Sequence, residues 1–166
     1  MRVVAAVGVV LALGGVAGAQ VPSAFVDVPP WHWAFDAVQR GAAAGIFEGY
    51  PASDRELVAN ALIQVYDAFR HPTHPLAPAW AEAFLVNLPP GWPQPLLRSR
   101  LRNVVLSGLE VRVQADRAVI RWTADVVVDG TARRTTATGA AVRDAAGRWR
   151  VDFATLAGAQ PEVFGR

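Results

Sequence analysis

The chain has no cysteine and no lysine. Without thiols there is neither a disulfide framework nor a thiolate-held metal, and no cysteine stands behind the N-terminal apolar run to carry a lipid. All 16 basic residues are arginine, which reads as a compositional bias before heat adaptation, because lysine loss is not the general thermophile signal. A nucleophile elbow, a phosphate loop, a zinc signature and a dinucleotide fingerprint are also missing, so no motif brings catalytic chemistry with it. Long hydrophobic runs are scarce too. The longest, Val3 to Val16, is short for a membrane span and is broken by Gly8, Gly14 and Gly15.

That run reads better as a targeting segment. Met1-Arg2 is a basic start, and Ala17-Gly18-Ala19 has the small-x-small pattern of a signal-peptidase site. Residues 1–19 are therefore expected to be a signal peptide cleaved before Gln20, the alternative being a retained anchor. The rest of the chain can build a core, since 52% of the 166 residues are hydrophobic. The net charge of +2 hides an asymmetry: three arginines face seven acids from Gln20 to Leu97, and twelve face seven from Arg98 to Arg166. Pairing between the two segments is the simplest consequence, and attraction to an anionic wall or lipid surface the other.

The stretch from Phe25 to Phe69 organises the mature N-terminus. Pro29 and Pro30 impose an extended approach. Trp33, Ala34, Ala37, Val38, Gly41 and Ala42 then recur at helical spacing. Gly45 sits where a left-handed C-terminal cap is needed, with Ile46 placed to fold back on the last turn. Ser53 followed by Glu56 is a capping box that starts a second helix, whose stripe is Leu57, Val58, Ala61, Leu62, Val65 and Phe69. The expected product is a helical hairpin.

Phe25-x-Asp27-Val28-Pro29, His32-Trp33-Ala34, Ala37-Val38, Ala44-Gly45-Ile46 and Gly49-Tyr50-Pro51 resemble the S-layer homology module. The resemblance implies an exported cell-envelope protein that binds a peptidoglycan-linked polysaccharide, with Asp27, Trp33, Tyr50 and Glu56 as polymer contacts. Each of three has a structural reading beside it: Asp27 as a helix cap, Trp33 as core, Glu56 as half of the capping box. Ser53-Asp54-Arg55-Glu56 stands where the family usually carries Thr-Arg-x-Glu, so Asp54 takes the place of an arginine that commonly meets the anionic sugar. The module is expected over residues 20–70, in a single, shortened copy.

His71-Pro-Thr-His-Pro75 reads as a stiff polar linker over 71–77, because two histidines without a third ligand make no metal site. His32 is expected to hydrogen-bond near the start of the first helix. Residues 78–166 are expected to form a small α+β domain. Pro78 to Leu88 suggests a short amphipathic helix and Leu96 to Leu106 another, closed by Gly108. From Leu109 the period changes to two, giving four antiparallel strands in a meander with Asp129-Gly130 as the clearest hairpin turn. Helices before such a meander resemble, in architecture alone, the cone-shaped fold of nuclear transport factor and ketosteroid isomerase relatives. That fold hosts enzymes and binders alike.

Asp125 and Asp152 fall on the wet face among arginines, where ion pairs explain them more simply than proton transfer. No catalytic residue, cofactor or metal is therefore expected, and the protein is read as a non-enzyme. Arg112, Arg121, Arg148 and Arg150 offer an anion-binding surface for a wall polymer or lipid phosphate. Export disfavours nucleic acid, and the polar face lacks stacking aromatics. The competing reading is a small-ligand binder or minor enzyme with a pocket in the cone, lined by Trp122 or Trp149.

Overall fold

The computed structural model describes residues 28–46 and 53–165. The expected signal peptide, Asp27 and Tyr50 lie outside them. Among the described residues no helix is long and apolar enough to cross a membrane.

The fold is α+β. Its sheet is a meander of β2 (Leu101–Gln114), β3 (Arg117–Val128), β4 (Thr131–Arg143) and β5 (Trp149–Asp152), extended by a short β1 (Leu85–Val86) that runs parallel to β5. The strand order is β1-β5-β4-β3-β2, so the sheet is mixed and five-stranded where the sequence predicts an all-antiparallel four. β3 shows why it forms. Ala118, Ile120, Trp122, Ala124, Val126 and Val128 are all buried, while Arg117, Val119 and Arg121 between them are exposed. Asp129 and Gly130 make the hairpin turn at φ 51° and 76°.

β2 departs from the sequence expectation. Leu97, Leu101, Val104 and Val105 fit a helical stripe, but only Gln94–Leu97 is helical (α4) and the chain is a strand from Leu101 onward. Pairing with β3 decides the matter, because a strand of fourteen residues gains a ladder that an isolated short helix lacks. Gly108 does not end a helix. It lies at φ 56° where the β2–β3 register shifts between Ser107 and Glu110, the left-handed position of a glycine bulge.

Helices cover one face of the sheet. α2 (Asp54–Arg70) buries Val58, Ala61, Leu62, Val65 and Phe69 as expected, with Tyr66 and Ala68 beside them. Those residues belong to the same core cluster as Ile120, Trp122, Trp149 and Val151 of the sheet. Each fully buried large apolar side chain contributes roughly 1.5–3 kcal/mol relative to exposure. α2, expected to close a separate hairpin over 20–70, thus supplies the central helix of the α+β core. α3 (Ala77–Phe84) packs beside it with Trp80 against Phe84.

Two short C-terminal helices have no counterpart in the sequence pattern: α5 (Phe153–Ala159) and α6 (Pro161–Phe164). Asp152 caps α5 by accepting from the Ala154 and Thr155 amides. Thr155 Oγ1 in turn accepts from the Ala140 amide at 3.0 Å. Phe153 and Phe164 close an aromatic cluster with Phe69.

Candidate functional site

The N-terminal arm is attached by a residue that lies outside the helical stripe. Trp31 donates its indole N–H to Asp67 Oδ2 at 2.6 Å. Its ring packs on His71 and His74, with centroids 5.2 and 5.3 Å away, and edge-on to Trp80 at 6.1 Å. The stretch expected as a linker does connect α2 to α3, and its two histidines also form an aromatic socket for Trp31. Pro29 is buried and its carbonyl accepts from the His32 amide at 2.9 Å, and the Ala34 amide donates to His32 Nδ1 at 3.2 Å, the hydrogen bond expected of His32.

α1 (Phe35–Ala43) comes next. It ends as the sequence predicts: Gly45 adopts φ 67°, its amide bonds to Ala42 O, and the Ile46 amide reaches back to Gly41 O at 2.8 Å. This paired arrangement satisfies carbonyls that the helix end would leave bare. The side chains behave differently from the backbone. Gly41 is the buried residue of α1, whereas Ile46 is 72% and Trp33 91% exposed. Trp33 is thus not core: the helical stripe that included it is rotated, and the anchoring indole is two residues earlier.

Glu56 has a defined structural partner. One of its carboxylate oxygens accepts from the Ser53 amide at 2.7 Å and from the Ser53 hydroxyl at 2.8 Å, while the Glu56 amide donates to Ser53 Oγ at 3.3 Å. The Ser53 amide first, then its hydroxyl, hold the carboxyl below the usual glutamate range. Asp54, standing at the arginine position of the resembled motif, faces the sheet. Its Oδ1 accepts from the Trp149 indole at 3.0 Å and pairs with Arg143, whose guanidinium lies 5.0 Å over the Trp149 ring. The replacement therefore clips the start of α2 to β4 and β5.

Arg55 and Glu56 border an open groove of about 480 Å³ between α2 and β2, completed by Ala59, Leu109, Glu110, Val111 and Arg112. Glu110 and Arg112 continue into a smaller hollow of about 150 Å³ with Val119, Arg121 and Thr138. The structure so brings Glu56, Arg112 and Arg121 into adjoining depressions; Trp33 does not line either. Arg148 and Arg150 are held elsewhere, each 3.0 Å from Asp144 Oδ2. The Arg148 amide, then its guanidinium and the Ala146 amide, keep the Asp144 carboxyl below its ordinary range. Asp125 pairs across the strands with Arg134 at 3.6 Å, and Asp152 is a cap rather than an ion-pair partner.

The tryptophans expected to line a cone are structural. Trp122 is fully buried and Trp149 nearly so, and Trp92 packs on Phe69 and Phe153. Among the described residues no cluster of three or more histidines and carboxylates is placed to hold a metal.

Comparison with known families gives one result: residues 24–53 match the model of the S-layer homology domain, in one copy. The match ends at Ser53, the cap of α2, where the chain enters the α+β core. It points to association with the cell surface or cell wall. No curated protein and no solved structure matches the chain, so the likeness to the cone-shaped fold rests on element order alone.

Proposed function

We propose that the chain is an exported, non-enzymatic envelope protein that holds a peptidoglycan-linked polysaccharide through its S-layer homology segment, with Trp33 as the principal contact. The exposure of Trp33 carries this reading. A tryptophan that leaves 91% of its surface in water, with its ring 5.6 Å from that of His32, adds little to the fold. Its flat indole offers a polarisable surface on which the C–H face of a sugar ring packs.

The scale is sufficient for a useful contact. Covering about half of an indole's roughly 200 Å² at about 25 cal/mol per Å² contributes about 2.5 kcal/mol, or about sixtyfold in affinity. Asp27 and Tyr50, which flank α1 in the sequence, are the proposed polar contacts to sugar hydroxyls, and Glu56 is assigned to the helix cap. The α+β core serves as the body that the segment tethers, joined to it through Trp31.

Pull-down with purified cell-wall sacculi tests the proposal. Recovery of the exported chain should fall for Trp33→Ala and further for the double variant with Asp27→Ala. Equal recovery of all three would remove the adhesion reading.

A further inference from the structure

We propose that two copies of this chain pair antiparallel through the outer edge of β2, centred on Val111, so that their sheets become one. β2 ends the strand order, and along one side its backbone has no partner strand among the described residues. The opposite edge is different: β1 has two residues, β2 fourteen. A long unpaired edge presents a row of free amides and carbonyls that another strand satisfies.

The bulges confine where that strand sits. The β2–β3 register shifts at Leu101/Asn103 and Ser107/Glu110, then runs without interruption from Glu110 to Gln114. Beside this regular part lies the open groove of about 480 Å³, walled on the helix side by Arg55, Glu56 and the small Ala59. Leu109, Val111 and Val113 are only half-buried against the core here. Glu110 and Arg112 point to the other face, and neither has an ion pair among the described residues.

Charge then selects both occupant and register. An antiparallel pair places opposite residues on the same face, and a slip of one residue would put Leu109 and Val111 against charges. Among the registers that keep faces matched, centring on Glu110 sets Glu110 against Glu110, and centring on Arg112 sets arginine against arginine. Centring on Val111 sets Glu110 against Arg112 twice, with Leu109 against Val113 and Val111 against its own copy beneath. The segment is self-complementary in that register alone, which identifies a second copy of this chain as the partner.

Sedimentation of the purified exported chain should show a dimer. Glu110→Arg or Arg112→Glu alone should weaken it by about tenfold or more, since like charges then face each other twice. The double variant Glu110→Arg with Arg112→Glu should restore it. A monomer at every concentration, or a dimer indifferent to these reversals, overturns the proposal. Because the chain has no cysteine, Val111→Cys supplies a second readout: on oxidation it should form a covalent dimer faster than Val119→Cys on the neighbouring strand. Equal rates would contradict the register.

Discussion

The indole nitrogen of Trp122 donates a hydrogen bond of 2.8 Å to the phenolic oxygen of Tyr66, joining the centre of β3 to the C-terminal half of α2. Both side chains are sealed from water, and the phenol donates onward to Gln160 Oε1 ahead of α6. Three parts of the chain far apart in sequence thus meet at one polar relay inside an apolar core. Such a relay stabilises when complete and costs heavily when broken.

Tyr66→Phe breaks it with almost no change in volume. The Trp122 N–H and the Gln160 carbonyl are left without this partner in the interior, and stability should fall by about 2–3 kcal/mol. Denaturant titration checks this. A loss under about 0.5 kcal/mol would show that the relay contributes nothing beyond packing.

The same phenol predicts an alkaline limit. Burial first, and the charge of Glu162 to a smaller degree, raise Tyr66 well above the ordinary 10.0, against the opposing hydrogen bond from Trp122. The folded protein therefore keeps this proton after the unfolded chain has lost it. Its contribution is fully present below pH 10 and declines as pH rises beyond that value. Phenolate absorbance from Tyr66 should appear together with unfolding. Its appearance in the folded state near pH 10 would refute the assignment.

Asp54 tests whether the altered motif is now structural. Asp54→Arg restores the residue type of the resembled motif but removes the acceptor for Trp149 and sets two guanidiniums together. Because both ion-pair partners are partly exposed, the expected loss is only about 1–2 kcal/mol. Asp54→Asn, which keeps an acceptor, should lose less. Thermal unfolding of both variants distinguishes a clip from an idle substitution.

Trp31 governs the tether. Trp31→Ala removes the Asp67 hydrogen bond and the ring contacts with His71, His74 and Trp80. Local opening of the arm should become easier by about 2 kcal/mol while the sheet core persists. Limited proteolysis should then cut between residues 28 and 46 at least about tenfold faster, with an unchanged core fragment. A uniform loss of the whole fold would contradict a separable tether.

The sequence was most legible where one period held alone. The α2 stripe and the strict alternation of β3 arise from helical and strand spacing without tertiary help. The stretch from Leu101 to Leu106 was not, because its apolar residues suit a helix stripe and a strand alike until β3 supplies a ladder. β1, α5 and α6 are too short to carry a period. Trp31 escaped because a helical stripe begins inside the helix, whereas the anchor precedes it; two histidines downstream of α2 were the available signal. In the site, Asp54 shows how residue type misleads. Its position in a motif suggests a ligand contact, yet its partners, Trp149 and Arg143, come from strands nearly a hundred residues away, where no local pattern reaches.

Titration of soluble polysaccharide, released from purified sacculi, into the purified chain and its Trp33→Ala variant tests the central claim most directly. Because Trp33 is 91% exposed, the variant should melt as the parent does, within about 0.5 kcal/mol. Its affinity should nevertheless fall by about tenfold to sixtyfold. Unchanged affinity in a variant of unchanged stability would contradict the account.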